Sequence, residues 1–333
     1  MLIRRFADDS GHTAQEFYTN RTVVHLMTEM LKPKSGQSIY DPTCGTAGML
    51  ISTIAYLKEK KEEWRNVKVY GQEINALSAS ISKMNLFLHG IKDFNIVNGD
   101  TLLNPAFIEN GELKKFDMVL ANPPYSISQW DRENFANDKY GRNFLGVPPQ
   151  GRADYAFIQH ILKSMDEKNG RCAILLPHGV LFRNEEQQIR ENLIKSDLIE
   201  CIIGIGKNLF FNSPMEACIM VCKSRKNNNK KGQVLFIDAK EEVTRKNNYS
   251  YLDERHIEKI AKTYNDYNDK KGFAKLVSID EMLGNNSKLS VALYVHGEIE
   301  ENEETETINL NDEYKKWLSN SNEIRTLIEN LNL

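Results

Sequence analysis

A chain of 333 residues, 41% hydrophobic and 27% charged, has enough apolar side chains for a full core, which excludes wholesale disorder. Its longest apolar runs, such as residues 172–176 and 201–205, are far below the roughly 18 residues of a membrane-spanning helix. The opening MLIRRFADDSG lacks the apolar core of a secretory signal, so a cytoplasmic protein with no membrane partner is expected, and a net charge of -3 is poorly suited to gripping a polyanion alone.

The five cysteines, Cys44, Cys172, Cys201, Cys218 and Cys222, form no CxxC pair, and the seven histidines show no metal-ligand spacing. Reduced thiols and no metal are expected.

From Ser38 to Lys223 short apolar runs alternate with amphipathic stretches, the pattern of an α/β fold with a doubly wound parallel sheet. SIYD (38–41) predicts the first strand, and DPTCGTAG (41–48) leads from it into a helix over AGMLISTIAYLKEKKEEW. Gly45 and Gly48 let this turn approach a ligand at the strand's carboxyl end, beside the helix N-terminus. Such a turn can also serve packing alone. It lacks GxGxxG and the Walker lysine, which argues against dinucleotides and nucleoside triphosphates.

VKVYGQ (67–72) predicts the second strand, followed by Glu73, whose carboxylate can accept hydrogen bonds from both hydroxyls of a ribose or cap the next helix. That helix, NALSASISKMNLFLHG, stops at Gly90. After the third strand, FNIV (94–97), comes Gly99-Asp100, an acid placed to accept from an adenine amino group or to cap a turn.

The strand FDMVLA (116–121) runs into Asn122-Pro123-Pro124-Tyr125. The prolines stop the strand and stiffen the backbone, fixing the Asn122 amide and the Pro123 carbonyl at its tip. Both accept hydrogen bonds from an amino group. An aromatic amine is a poor nucleophile because its lone pair is delocalised into the ring, and two in-plane acceptors that favour a tetrahedral nitrogen free that pair for attack. Tyr125 is expected against the face of a planar base that has left its duplex.

Farther on, DYAFIQHILKSMDEKNG predicts a helix ending at Gly170, and NEEQQIRENLIKS another beginning at Asn184. RCAILL (171–176), LIECIIG (198–204) and ACIMVC (217–222) complete seven strands. SRKNNNKKG (224–232) reads as a solvated loop before a further strand, QVLFID. Beyond about residue 250 the pattern turns helical, first LDERHIEKIAKTYNDY and finally DEYKKWLSNSNEIRTLIENL (313–332). The expected organisation is a domain over 1–245 and a C-terminal helical extension over 246–333, packed on its own domain or docked on a partner.

The order DPTCGTAG, Glu73, Gly99-Asp100 and NPPY resembles the S-adenosylmethionine-dependent amino-methyltransferases, over residues from about 15 to 223. The runs GVPPQGRADYAFIQHILKSM, GRCAILLPHGVLFR and LIECIIGIGKNLFFNSPMEACIMV are similar to the modification subunit of type I restriction-modification systems, which are adenine-specific DNA methyltransferases. The resemblance implies a Rossmann-like sheet of seven strands with an antiparallel last hairpin. It implies S-adenosylmethionine held by Asp41, Thr43, Gly45, Gly48, Glu73 and Asp100, with Asp154 opening the helix that flanks the cofactor's adenine end. EFYTNRTVVHLM (16–27) resembles the segment that closes over the methionine end, which maps Phe17, Tyr18 and Thr19 to that role; Asn20 stands where the family usually has proline. Phe210 or Phe211 is implied beside the flipped base, and Asn122, Pro123, Pro124 and Tyr125 at the reacting amine.

The implied partners are DNA, a specificity subunit and a restriction subunit. Such subunits generally begin with a helical domain that clamps DNA, whereas this chain begins almost at the methyltransferase core, so a borrowed DNA grip is expected. Neither Cys172 nor Cys201 follows a proline, which leaves direct in-line transfer rather than a covalent intermediate. NPPY also fits a glutamine side chain in protein or a guanine amino group in RNA, and a scaffold that no longer binds the cofactor is the non-enzymatic alternative.

Overall fold

The computed structural model describes residues 20–297 apart from 208, 210–215 and 247–248. Phe17, Tyr18, Thr19, Phe210, Phe211 and the helix expected over 313–332 lie outside the described residues.

Asn20 opens the first described helix, α1 (Arg21–Leu31): its extended backbone lets the side-chain oxygen accept from the Thr22 N–H. The same amide donates through Nδ2 to the Ser250 carbonyl at 2.8 Å. Asn20 thus caps the helix and ties it to a distant segment. Val23, Val24, Leu26, Met27, Met30 and Leu31 form the buried face of α1, each burial stabilising by roughly 1.5–3 kcal/mol.

Among the described residues nine strands form the main sheet: β1 (Ser38–Asp41), β2 (Lys68–Glu73), β3 (Phe94–Asn98), β4 (Met118–Ala121), β5 (Arg171–Pro177), β6 (Ile199–Ile205), β7 (Ala217–Lys223), β8 (Gln233–Ala239) and β9 (Ala274–Ser278). Their spatial order is β9-β8-β6-β7-β5-β4-β1-β2-β3. β1 pairs in parallel with β2 and β4, β2 with β3, β4 with β5, and β6 with β8. β7 runs antiparallel to both β5 and β6, and β9 antiparallel to β8. All residues of β5 and β6 are buried, as strands covered on both faces must be.

The other α-helices among the described residues are α2 (Gly48–Glu59), α3 (Ala76–Leu88), α4 (Arg132–Ala136), α5 (Asp154–Ser164), α6 (Gln187–Lys195), α7 (Glu254–Asp266), α8 (Ile279–Gly284) and α9 (Val291–Val295). Two apolar cores lie on opposite faces of the sheet. One joins α1, α2, α3 and α7 to it, the other α5, α6, α8 and α9.

The seven expected strands are all present with their reversed final pair, and the expected strand QVLFID extends the sheet as β8. The region after residue 250 is not purely helical: Ala274–Ser278 pairs with β8 from Gln233↔Ser278 to Ile237↔Ala274. Five residues joined only to a segment some forty positions earlier give little periodicity to read.

The chain turns from β1 to β2 and β3 on one side and later to β4 and β5 on the other. The crevice at the carboxyl ends of β1 and β4 is thus a topological switch point, where open α/β sheets bind ligands. Gly71 lets the structure close there. A Cβ at this position would stand 2.7 Å from Ile96 Cδ1 and 2.8 Å from Cys44 Sγ.

Candidate active site

The loop leaving β1 is built on Asp41. This residue is 2% exposed, and its Oδ1 accepts the Thr43 N–H at 3.0 Å. Burial pushes the carboxyl up to about 7, the Thr43 N–H opposes that rise, and the nearby Glu73 charge adds to it. Thr43 Oγ1 is buried with no partner at normal hydrogen-bond geometry among the described residues. Gly45 has a left-handed φ of 52°, and a Cβ added to Gly45 or Gly48 would meet nothing within 4 Å. The two glycines therefore border open space at the N-terminus of α2.

Glu73 reaches across from β2. Its Oε2 accepts the Gly45 N–H at 2.8 Å and its Oε1 the Asn75 N–H at 2.9 Å. It binds loop and strand together, and each oxygen keeps a second lone pair for a ligand hydroxyl. Asp100 caps the turn after β3, its Oδ1 accepting from Leu102 N and Leu103 N at 2.8 and 3.0 Å. Its Oδ2 has no protein partner among the described residues. The structure thus brings Asp41, Glu73 and Asp100 to the ends of three adjacent strands, as their order along the chain suggested.

Asn122 to Tyr125 continue from β4 on the other side of the crevice. Tyr125 differs from the expectation of an open stacking face. It is 9% exposed, belongs to the core beneath, and donates its hydroxyl to Asn122 Oδ1 at 2.9 Å. That bond holds the amide in place at the tip of β4.

Asp154 opens α5, but its carboxylate lies at this loop. Oδ1 accepts the Ser126 N–H at 3.0 Å and Oδ2 accepts from Arg183 Nη2 at 2.8 Å. Ser126 itself has a left-handed φ of 51°, so the turn after Tyr125 is held against its intrinsic preference.

Three supporting residues escaped the sequence reading. Gln72, fully buried, donates to the Asn104 carbonyl and accepts from the Ala106 N–H at 2.9 and 3.0 Å. Arg142, 2% exposed, donates to the Thr101 and Leu102 carbonyls at 2.9 and 2.8 Å and pairs with Asp138. Arg183 pairs with Asp154 and Glu186. The available signal was charge within apolar or turn sequence, as in VLFR. Such residues are seldom buried without partners.

Among the described residues no cluster of three or more His, Cys, Asp or Glu could hold a metal ion, and no helix is long and apolar enough to cross a membrane.

The model of the N-6 DNA methylase family matches residues 1–304. The HindI methylase subunit of a type I restriction enzyme from Haemophilus influenzae is 32% identical over 311 residues, covering 88% of this chain and 66% of that protein. The MjaVIII methylase subunit of Methanocaldococcus jannaschii is 35% identical over 313 residues, 90% of this chain and 53% of that protein. The crystal structure of a type I restriction-modification methyltransferase subunit from Streptococcus thermophilus superposes with a TM-score of 0.80 at 34% identity, covering 88% of this chain and 62% of that one. The chain thus spans between about half and two thirds of the length of these relatives. With a matching model over most of its length and the motif order set around one crevice, the chain belongs to the N-6 DNA methylase family.

Proposed function

We propose that this chain transfers a methyl group from S-adenosylmethionine to the exocyclic amino group of adenine in DNA, as the catalytic modification subunit of a type I restriction-modification complex in the cytoplasm. One observation carries the reading: Asn122, fixed by Tyr125 at the tip of β4, stands at the same switch point as a loop and three acids suited to a cationic nucleoside.

The residues present fit S-adenosylmethionine. Asp41 is a desolvated acid that a cation would stabilise as carboxylate, Thr43 offers a buried hydroxyl beside it, and Gly45 and Gly48 leave room at a helix N-terminus. Glu73 would take the ribose hydroxyls and Asp100 Oδ2 the adenine amino group. When bound, the cofactor supplies an electrophilic methyl on a sulfonium.

Asn122 Oδ1 and the Pro123 carbonyl orient the target amine by accepting its two hydrogens. This directs the nitrogen lone pair at the methyl and leaves the excess proton to depart to water. Pro124 keeps the peptide rigid. With a net charge of -3, the chain relies on a specificity subunit for much of its hold on DNA, and a restriction subunit joins the same complex.

With its specificity partner present, the protein should move labelled methyl from S-adenosylmethionine to adenine in duplex DNA. Label found only in protein glutamine or RNA guanine would overturn the assignment.

Cofactor affinity should depend on pH. Because burial raises Asp41 to about 7, the ligand-free fold favours the protonated acid, and its contribution to stability falls as pH rises from the ordinary carboxylate range to about 7. A cation favours the ionised form, so binding releases this proton. Affinity should rise by up to about tenfold per pH unit below 7 and level off above it. Calorimetry at pH 6 and pH 8 should show the difference in the wild type and its loss in Asp41→Asn. Equal wild-type affinities would remove the role given to Asp41.

A further inference from the structure

We propose that Arg183 is a positioning residue that holds the Asn122–Ser126 loop in its reactive shape, acting through Asp154. The inference rests on the methyl-transfer reading for its kinetic consequence, while its structural content stands apart from it.

Behind the loop lies a quartet of buried charges, Asp154, Arg183, Glu186 and Arg190, with exposures of 1%, 7%, 0% and 1%. Arg183 forks between two carboxylates, donating through Nη2 to Asp154 Oδ2 at 2.8 Å and through Nε to Glu186 Oε2 at 2.8 Å. Arg190 in turn donates to the Arg183 carbonyl at 2.7 Å and to the Ser287 carbonyl at 2.9 Å. The guanidinium is therefore held between two carboxylates, the Arg183 backbone is anchored by Arg190, and Asp154 is fixed in turn.

Asp154 passes this constraint to the loop by accepting the Ser126 N–H. Two further contacts bind the adjoining strands of chain: Ala153 N–H to the Ile127 carbonyl at 3.1 Å, and Arg152 Nη1 to Ser126 Oγ at 3.3 Å. The path is short, from guanidinium to carboxylate to the amide that follows Tyr125.

Stability alone is a poor account of this quartet. Two acids and two bases are desolvated together, and well-packed apolar side chains of similar volume often serve stability as well or better. What apolar side chains do not supply is a directed acceptor for an amide in the left-handed turn at Ser126. Lysine does not reproduce the planar fork either.

The experiment compares Arg183→Gln, Asp154→Asn and Arg183→Lys with the wild-type chain together with its specificity partner. In the first two, kcat for methyl transfer should fall by about 10- to 100-fold, the scale of a displaced reacting group, while KM for cofactor and DNA stays within about threefold. Hydrogen exchange should accelerate in peptides spanning residues 122–128 and stay unchanged in β5 and β6. Arg183→Lys keeps the charge and should lie between the wild type and Arg183→Gln, which preserves the test if the glutamine variant does not fold.

Unchanged exchange at 122–128, a rise in KM with kcat intact, or full kcat in Arg183→Lys would each overturn the proposal. Failure of the wild type to methylate adenine would instead refute the function and leave the exchange result to decide the positioning role.

Discussion

Asn122→Ala is expected to lower kcat for methyl transfer by a factor of about 100 to 1,000, the range seen when one preorganised polar group facing developing charge is removed. The affinity for S-adenosylmethionine should remain within about twofold, because the acids and glycines of the cofactor side lie at or just after the carboxyl ends of β1, β2 and β3, whereas Asn122 follows β4. The amide oxygen and the Pro123 carbonyl act as a pair on one nitrogen, and alanine leaves the carbonyl alone with an amine whose lone pair stays delocalised into the ring. Tyr125→Phe should have a smaller effect of the same kind, about tenfold or less. It removes the 2.9 Å bond that fixes the amide but keeps the acceptor. Steady-state kinetics with labelled cofactor, beside calorimetry, checks both. Turnover retained in Asn122→Ala would end the role assigned to that residue.

Arg142→Met should destabilise the protein by about 3–5 kcal/mol, the cost of leaving a buried charge without its partner. Arg142 donates to Asp138 through Nε and Nη2 at 2.9 and 2.6 Å and to the carbonyls of Thr101 and Leu102. It also lies 3.4 Å from His160 Nδ1. A guanidinium only donates, so Nδ1 accepts and the ring proton sits on Nε2, directed at the Tyr40 oxygen 3.1 Å away. Burial, followed by the Arg142 charge, holds His160 well below the ordinary imidazole range and therefore neutral.

Removing Arg142 leaves Asp138 buried and two carbonyls of the Asp100 turn unpaired. Cofactor binding should weaken along with stability, since that turn presents Asp100. Urea denaturation measures the first effect and calorimetry the second. Adding Asp138→Leu to Arg142→Met should recover part of the lost stability, as removing both members of a buried pair usually does. A single variant as stable as the wild type would show that the network contributes nothing to the fold.

The strand-loop-helix units were legible because strands covered on both faces become unbroken apolar runs, such as CAILL in β5; α3 ends just before its marked Gly90, whereas α5 stops at Ser164, short of the expected end at Gly170. The acids at the ends of β1, β2 and β3 were legible for a related reason: parallel topology places successive strand ends on one edge, so order in sequence becomes adjacency in space. Gly45 was readable too, as a turn residue that the backbone needs at positive φ.

The buried arginines were not. Arg142 and Arg183 pair with nearby acids, Asp138 and Glu186, but their burial depends also on Thr101, Leu102 and Asp154, distant in sequence, and a single sequence places no distant residue beside another in space. Tyr125 shows the same limit from the other side. Its residue type fits stacking on a base, yet its burial and its bond to Asn122 depend on the packing beneath the loop. Asp154 was placed at the start of its helix, but the direction of its carboxylate follows from Ser126 and Arg183. β9 went unread because a short edge strand takes its identity from its pairing with β8.

The most direct test of methyl transfer to adenine is nucleoside mass spectrometry of duplex DNA incubated with S-adenosylmethionine, this chain and its specificity partner. The account predicts N6-methyladenine with the wild type and its near absence with Asn122→Ala. Methylated cytosine, or undiminished N6-methyladenine with the variant, would contradict it.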